Sequence, residues 1–229
     1  MASAALDSKL HRTLRFYEAT NGKKTVMALT GAALWGFVII HLLGNLQVFL
    51  GPDKLDKYGE ALRATGALLW VARGGLLLCV VLHITAALQL MALKAKARPQ
   101  PYVKKVATTS TYASRTMYWS GPVILGFIIF HLMHFTWGVP GIHPDFVDGA
   151  VHANLVKGLS QPLAAVLYLT AMSMLLFHLY HGIWSMFQTM GLSHPRYTPL
   201  VKKAAAGIAI ALAGGNIAIV VSVLLGIVK

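Results

Sequence analysis

The chain of 229 residues is 56% hydrophobic and 12% charged, with a mean hydropathy of +0.63 and a formal net charge of +13. Because a soluble domain carries about 25% charged residues, this composition excludes an ordinary soluble domain. The basic surplus falls in alternate loops between apolar segments, which is typical of membrane proteins, so we expect no nucleic-acid partner.

Five apolar segments are each long enough for a helix to cross a hydrocarbon core of about 30 Å. They lie at about 26–50, 67–93, 118–138, 162–188 and 204–228. The sequence predicts an all-α membrane protein in which these five helices form one membrane domain, residues 1–229. The fifth segment carries no histidine, so packing is its expected role.

The first 25 residues lack the apolar core of a cleavable signal peptide. Within 1–25, apolar side chains recur at helical spacing and predict an amphipathic helix on the membrane surface: Leu6, Leu10, Leu14 and Tyr17. The basic loops precede the first segment and join the second to the third and the fourth to the fifth. The positive-inside rule therefore predicts a cytoplasmic N-terminus and a C-terminus outside.

The first and third segments each contain a histidine, which is costly inside a bilayer and therefore indicates a functional site. Gly36–Leu43 and Gly126–Met133 are near-copies of each other. Aligning the two copies pairs His41 with His131 rather than with His134.

The second and fourth segments form the other half of this internal repeat. Leu82 and His83 are followed by Ala87, and Phe177 and His178 are followed by Gly182. This match selects His178 over His181 as the counterpart of His83.

The alternating direction of the helices predicts the depth of each histidine. His41 and His131 are expected in the outer half of the membrane, and His83 and His178 in the inner half. The two levels differ by roughly 15 Å, from the rise per residue. Two imidazoles that face each other in a helix bundle supply the fifth and sixth ligands of a haem.

We therefore expect the five helices to surround two stacked b-type haems that carry out electron transfer. No C-x-x-C-H sequence is present, so covalent attachment is not expected. Small residues near the ligands are expected to let a flat macrocycle approach the helix backbones: Gly44, Ala87 and Gly182.

Three other interpretations of the histidines remain open from the residues alone. They could form hydrogen bonds between helices, or they could bind ions or protons in a transporter. They could also hold a metal through the i,i+3 pairs His131/His134 and His178/His181. Such a centre usually includes carboxylates, and no Asp or Glu lies in the five segments.

The remaining histidines have weaker signals. His134 and His181 are expected to bond a propionate, a water or a quinone oxygen. The histidines outside the five segments are expected to be solvated, although the second and third of them could line an outer quinone or proton path: His11, His143, His152 and His194.

Several sequence features together carry a resemblance to a known family. His83 follows His41 by forty-two residues, and Ser120-Gly121 precedes His131. The most specific stretch reads Phe177-His178-x-x-x-Gly182-Ile183-Trp184-Ser185, followed by Gly191 and Pro195-Arg196. From Gly22-Lys23-Lys24 to the fifth segment, the chain resembles the single-chain, two-haem cytochrome b membrane anchor of succinate:quinone oxidoreductases, which are succinate dehydrogenases or fumarate reductases.

The resemblance implies a multi-pass subunit of the bacterial cytoplasmic membrane. It implies that His178 is a ligand, and that the first helix pairs with the third and the second with the fourth. A flavoprotein with FAD and an iron–sulfur subunit would bind on the cytoplasmic face, where succinate is oxidised. Electrons would pass through the inner haem and then the outer haem to a quinone, which is generally menaquinone.

One position departs from part of this family. Some fumarate reductases of this type carry a glutamate two residues before the fourth-helix ligand, where this chain has Leu176. The departure favours succinate oxidation over a fumarate reductase anchor working in reverse. Other di-haem anchors, such as those of nitrate reductases or hydrogenases, place two ligands on one helix, whereas here each of four helices supplies one.

Polar residues near the ends of the segments are candidates for quinone and propionate binding. Proton carriers or hydrogen-bond donors for a quinone follow His41, unless they belong to a solvated loop: Asn45, Gln47, Asp53, Asp56 and Glu60. Basic residues at the inner interface would pair with propionates, unless they serve only to set topology: Lys23, Lys24 and Arg115.

Overall fold

The computed structural model describes residues 15–100 and 110–229. The helices bounded within these residues are α1 (Thr20–Asn45), α2 (Pro52–Ala64), α3 (Ala67–Ala97), α4 (Tyr112–Phe135), α5 (Val151–Leu159), α6 (Pro162–Thr189) and α7 (Thr198–Leu224). A 3₁₀ helix, Leu46–Leu50, continues α1. The described residues contain no β-strand.

Five of the helices are long and apolar enough to cross a membrane, which confirms the predicted number of spans: α1 with its 3₁₀ extension, α3, α4, α6 and α7. The starts of α3 and α6 match the prediction, but α1, α4 and α7 each begin six residues earlier than expected. Hydropathy marks the apolar part of a helix, whereas backbone hydrogen bonds continue into the polar flanks. In α7, for example, Pro199 near the start supplies a backbone angle that favours helix initiation.

Two connections that were predicted as loops each contain a short helix. The charged connection after α1 forms α2, and the connection rich in Gly, Pro, Asp and His forms α5. The two helices pack together: a Cβ atom on Gly59 of α2 would lie 2.6 Å from the Val151 side chain of α5. We call the end of the bundle that carries α2 and α5 the capped end, and the other end the uncapped end.

Four of the long helices form a square in cross-section. α1 packs against α3 and α6, and α6 packs against α4. α1 and α4 therefore lie on one diagonal of the square, and α3 and α6 lie on the other. The side between α3 and α4 is not closed by helix packing along its length; Lys94 Nζ of α3 bridges it near the uncapped end by donating to the Tyr118 hydroxyl of α4 at 2.8 Å.

The helix α7 packs mainly against α6 and also contacts α1, which agrees with its predicted packing role. Ala205, Ala209 and Ala213 recur every four residues and are almost fully buried. Small side chains at this spacing let two helices approach closely. Gly215 serves the contact with α1, because a Cβ atom there would lie 2.8 Å from the Leu42 side chain.

The described part of the predicted surface helix, residues 15–18, is helical and turns into α1 at Ala19. The Tyr17 hydroxyl donates to Gln89 of α3 at 2.9 Å, and Lys23 Nζ donates to the Tyr17 and Glu18 carbonyls. The amphipathic pattern itself lies mostly outside the described residues, at Leu6, Leu10 and Leu14.

The start of α5 is held by a carboxylate from α2. Asp56 Oδ1 accepts a hydrogen bond from the His152 backbone N–H at 2.8 Å. Asp56→Ala should destabilise α5 by about 1 kcal/mol, as for the loss of a helix cap, and so raise hydrogen exchange at the first amides of α5 about fivefold. The measurement is hydrogen–deuterium exchange of the purified protein in detergent.

Two variants complete this test. Asp56→Asn keeps an oxygen acceptor and should exchange at a rate close to wild type. Asp53→Ala removes an exposed carboxylate of the same helix and should have no effect. Equal exchange at α5 in Asp56→Ala and wild type would show that the cap does not hold this helix.

Candidate functional site

His41 of α1 and His131 of α4 meet across one diagonal of the square. Their ring centroids are 5.7 Å apart and their planes are nearly perpendicular, at 89°. Each ring contacts the phenylalanine four residues earlier, Phe37 at 5.3 Å and Phe127 at 5.7 Å. The internal repeat in the sequence is therefore also a repeat of side-chain environment.

His83 of α3 and His178 of α6 meet across the other diagonal. Their ring centroids are 6.3 Å apart with an angle of 55° between the planes. The structure thus brings together the two pairs of imidazoles that the sequence paired. Each pair joins helices that do not pack directly against each other.

The separation of the rings suits a metal ion bound between them. Imidazole nitrogens bind metal ions at about 2.0 Å, so two rings on opposite sides of one ion have centroids roughly 6 Å apart. Both observed distances, 5.7 and 6.3 Å, are close to this value. The residues therefore fit a haem iron with two axial histidines.

The two pairs lie at different levels along the bundle. His83 contacts Thr30, which lies eleven residues before His41 on α1, and His178 contacts Ser120, which lies eleven residues before His131 on α4. Eleven residues of helix correspond to about 16 Å. Two independent helices therefore give the same separation, close to the distance expected from the sequence.

Hydrogen bonds orient the pair at the uncapped side of the bundle. His83 Nδ1 lies 3.0 Å from the Met27 carbonyl oxygen, which can only accept, so Nδ1 carries the proton. This leaves the lone pair of Nε2 free to bind a metal. His178 Nδ1 lies 3.3 Å from the Ser120 hydroxyl, which helps to orient the second ring.

The pair nearer the capped end is held less evenly. His131 Nδ1 lies 2.9 Å from the Tyr168 hydroxyl of α6. The imidazole of His41, by contrast, has no hydrogen-bond partner among the described residues. One ring of this pair is therefore fixed by a polar contact, and the other by stacking on Phe37.

Gly182 leaves space on the face of α6 that carries His178. It lies one turn after this histidine, and a Cβ atom there would meet no atom within 4 Å. The open side between α3 and α4 adds to this space. Gly44 has a different role from the one predicted: its missing Cβ makes room for the Tyr58 ring of α2, which would lie 2.5 Å from such an atom.

Two histidines that were expected to be solvated are buried, so that prediction was wrong for them. His143 is 0% exposed and His152 is 5% exposed, because α2 and α5 cover the connection in which they lie. His143 packs against His134, with ring centroids 4.8 Å apart. His194 is exposed as expected, and His11 lies outside the described residues.

The two histidines one turn from the ligands differ in their surroundings. His134 is fully buried and its Nδ1 lies 3.2 Å from the Tyr168 hydroxyl. His181 Nδ1 and the indole N–H of its neighbour Trp184 are buried without a hydrogen-bond partner in the described chain. Across residues 15–100 and 110–229, no three potential ligands converge as a metal site, which counts against the i,i+3 metal interpretation.

The predicted quinone residues are distributed over the end of α1, the 3₁₀ helix and α2. Asn45 donates to the His41 carbonyl at 3.0 Å, and Asp53 and Glu60 are exposed on α2. A cavity of about 480 Å³ opens at the capped end, and none of the five candidates, Gln47 included, lines it. Asp56 accepts the hydrogen bond at the start of α5.

The basic candidates for propionate binding also have other contacts. Lys23 bonds two backbone carbonyls, and Arg115 donates to the Ser110 carbonyl at 3.0 Å. Lys24 is exposed at the uncapped end. Lys202 of α7 was not predicted, and its Nζ lies 4.4 Å from the centre of the Trp184 ring.

Two features of the site were missed in the sequence although signals for them exist. Thr30-Gly31 precedes His41 as Ser120-Gly121 precedes His131, so extending the repeat would have identified the hydroxyls that contact His83 and His178. Tyr168 has no counterpart in the repeat, and only its ten-residue distance from His178 could have suggested the level of the other pair.

Comparison of the chain with protein-family models, with curated proteins and with solved structures gives no match.

The contact between α5 and His134 gives a test of this region. A Cβ atom on Gly158 would lie 2.8 Å from both His134 Nε2 and the Phe135 ring. Gly158→Ala should therefore overpack the site and lower the free energy of unfolding by about 1–3 kcal/mol. Chemical denaturation of the purified protein in detergent measures this change.

Gly141→Ala is the matched control, because it lies in the same connection and its Cβ would meet nothing within 4 Å. It should leave stability unchanged. If both variants unfold like wild type, α5 does not hold His134 in place.

Proposed function

We propose that this chain is the di-haem cytochrome b membrane anchor of a succinate dehydrogenase complex. The observation that carries the proposal is the pair of diagonal histidine contacts, each with ring centroids close to 6 Å apart. Random intramembrane histidines would not be expected to meet twice, on four different helices, at two levels about 16 Å apart.

The four histidines would hold the iron atoms of two b-type haems. A haem held by two histidines would supply one-electron redox chemistry. The Met27 carbonyl and the Ser120 hydroxyl orient His83 and His178, and the Tyr168 hydroxyl orients His131. Phe37 and Phe127 pack against the rings of the His41/His131 pair.

The arrangement of charges supports the direction of electron flow. Apart from Glu18, the described charged residues at the uncapped end are basic, as expected for a cytoplasmic face that binds the iron–sulfur and flavoprotein subunits. Electrons would reach the His83/His178 pair first and the His41/His131 pair second. They would leave towards the capped end to a quinone, which in this family is generally menaquinone.

Haem propionates need positively charged or N–H partners in such a site. His181 and Trp184 have buried nitrogens without a partner in the described chain, and both lie within two turns of His178. With Lys202 beside the Trp184 ring, they are better placed for an inner propionate than Lys23, which already bonds two carbonyls.

The second candidate is the anchor of a fumarate reductase that runs the same route in reverse. Leu176 favours the succinate-oxidising direction, because that position carries a glutamate in some fumarate reductases of this type. Another di-haem quinone-linked anchor fits less well, since each of the four helices supplies one histidine. A transporter would use the histidines without haem.

Purified protein should contain two low-spin haems, which visible absorption and a pyridine haemochrome assay measure. His41→Ala and His131→Ala should each remove one and the same haem, and His83→Ala and His178→Ala should each remove the other. His194→Ala alters an exposed histidine and should retain both. Protein that is folded but carries no haem would contradict the proposal.

The direction of flux has its own test. Succinate added to the complex that co-purifies with this chain should reduce both haems, and a menaquinone analogue should then reoxidise them. The His131→Ala variant should still show reduction of the inner haem by succinate but should lose most quinone reduction. If succinate reduces neither haem in the wild-type complex, a different partner donates the electrons.

A further inference from the structure

Three polar side chains near the capped end are buried and are not members of the histidine pairs. They are Tyr168 of α6, His134 of α4 and His143 of the connection before α5. His134 and His143 are 0% exposed, and Tyr168 is 7% exposed. Buried polar groups are costly unless they are hydrogen-bonded, so the contacts within this cluster decide what it can do.

The three side chains contact one another in series, starting from His131. The Tyr168 oxygen lies 2.9 Å from His131 Nδ1 and 3.2 Å from His134 Nδ1. His134 and His143 follow, with ring centroids 4.8 Å apart. The series therefore runs from a proposed haem ligand to the connection at the capped end.

The first half of the series has a fixed order of donors and acceptors, provided that His131 binds iron as proposed above. Iron at Nε2 leaves the proton on Nδ1, which donates to the Tyr168 oxygen. The single hydroxyl proton of Tyr168 must then be donated to His134 Nδ1. The proton of neutral His134 consequently lies on Nε2.

The second half of the series is fixed from the other end. His143 Nδ1 lies 3.0 Å from the His134 carbonyl oxygen, which can only accept, so Nδ1 carries the proton and Nε2 is an acceptor. Nε2 of His134 and Nε2 of His143 are both buried without a partner among the described residues. One is a donor and the other an acceptor, and the two rings pack against each other with their centroids 4.8 Å apart.

We infer that Tyr168 and His134, with His143 packed against His134, form a proton-ordered polar series that ends on His131 and sets the electron-donating strength of this ligand. An axial imidazole that donates its Nδ1 proton is a stronger electron donor, which stabilises ferric iron and lowers the reduction potential. His41, the opposite ligand, has no such partner among the described residues. Among the described residues, a contact of this kind therefore affects only one of the two proposed ligands of this haem.

The Tyr168 ring and its hydroxyl can be separated experimentally. The ring packs against Phe127 and Phe130, with centroid distances of 4.9 and 6.0 Å. Phenylalanine would preserve these contacts and remove only the hydroxyl. Tyr168→Phe is therefore a variant in which a packing role and a tuning role give different results.

The experiment compares Tyr168→Phe with Ser120→Ala, which removes the hydroxyl beside His178 of the other pair. Redox titration and electron paramagnetic resonance of the purified protein follow each haem separately, and the haem that is lost in His41→Ala identifies the outer one. Tyr168→Phe should raise the potential of the outer haem and leave the inner haem unchanged. Ser120→Ala should change the inner haem alone.

A double-mutant cycle tests whether the series extends to His134. His134→Leu should shift the outer haem in the same direction as Tyr168→Phe, but by less, because it acts through the hydroxyl. In the Tyr168→Phe background, His134→Leu should give no further shift. Additive shifts would show that His134 does not act through Tyr168.

Several results would overturn the inference and leave the proposed function intact. One is Tyr168→Phe protein with two haems whose potentials are unchanged. Another is an equal shift in the potentials of both haems. A third is loss of the outer haem in both Tyr168→Phe and His134→Leu, because this would indicate a packing role alone. If only Tyr168→Phe loses the outer haem, the potential of this haem is measured in His134→Leu. A raised potential would support the inference, and an unchanged one would overturn it. Wild-type protein without haem would instead refute the proposed function.

Discussion

The bundle depends on the cost of placing imidazoles between apolar helices. Each ring has two nitrogens, and a buried nitrogen without a partner is unfavourable. The structure meets this constraint by giving one nitrogen of His83, His131 and His178 a local partner: a backbone carbonyl, a tyrosine hydroxyl and a serine hydroxyl. The rings of each pair then meet across a diagonal of the square formed by α1, α3, α4 and α6, with their centroids 5.7 and 6.3 Å apart.

The sequence predicts the helical class, the number of spans and the two histidine pairs, because these depend on periodicity and on an internal repeat. Apolar length alone identifies a span, and the copy of Gly36–Leu43 at Gly126–Met133 identifies equivalent positions without knowledge of the packing. The sequence was less informative where tertiary contacts decide. The burial of His143, for instance, depends on two short helices, α2 and α5, that cover the end of the bundle.

The contacts of individual polar side chains could not be read from the sequence for a related reason. Asp56, Lys23 and Asn45 have side chains that suit a quinone or a propionate, and in the structure each also bonds a backbone group. Short polar side chains near helix ends often serve the free N–H and C=O groups there. A sequence shows that such a residue is polar and near an end, whereas the choice of partner depends on the position of the next helix.

The diagonal pairing has a consequence for assembly of the protein. Each pair takes one histidine from α1 or α3 and the other from α4 or α6, so every haem would bridge the two halves of the repeat. Neither half could hold a cofactor with two axial ligands by itself. Incorporation would have to follow insertion of all four helices, and the bound groups would then fasten α3, of which only Ala86 is buried, to the rest of the bundle. The prosthetic groups would then form the interior that the side chains of α3 do not provide.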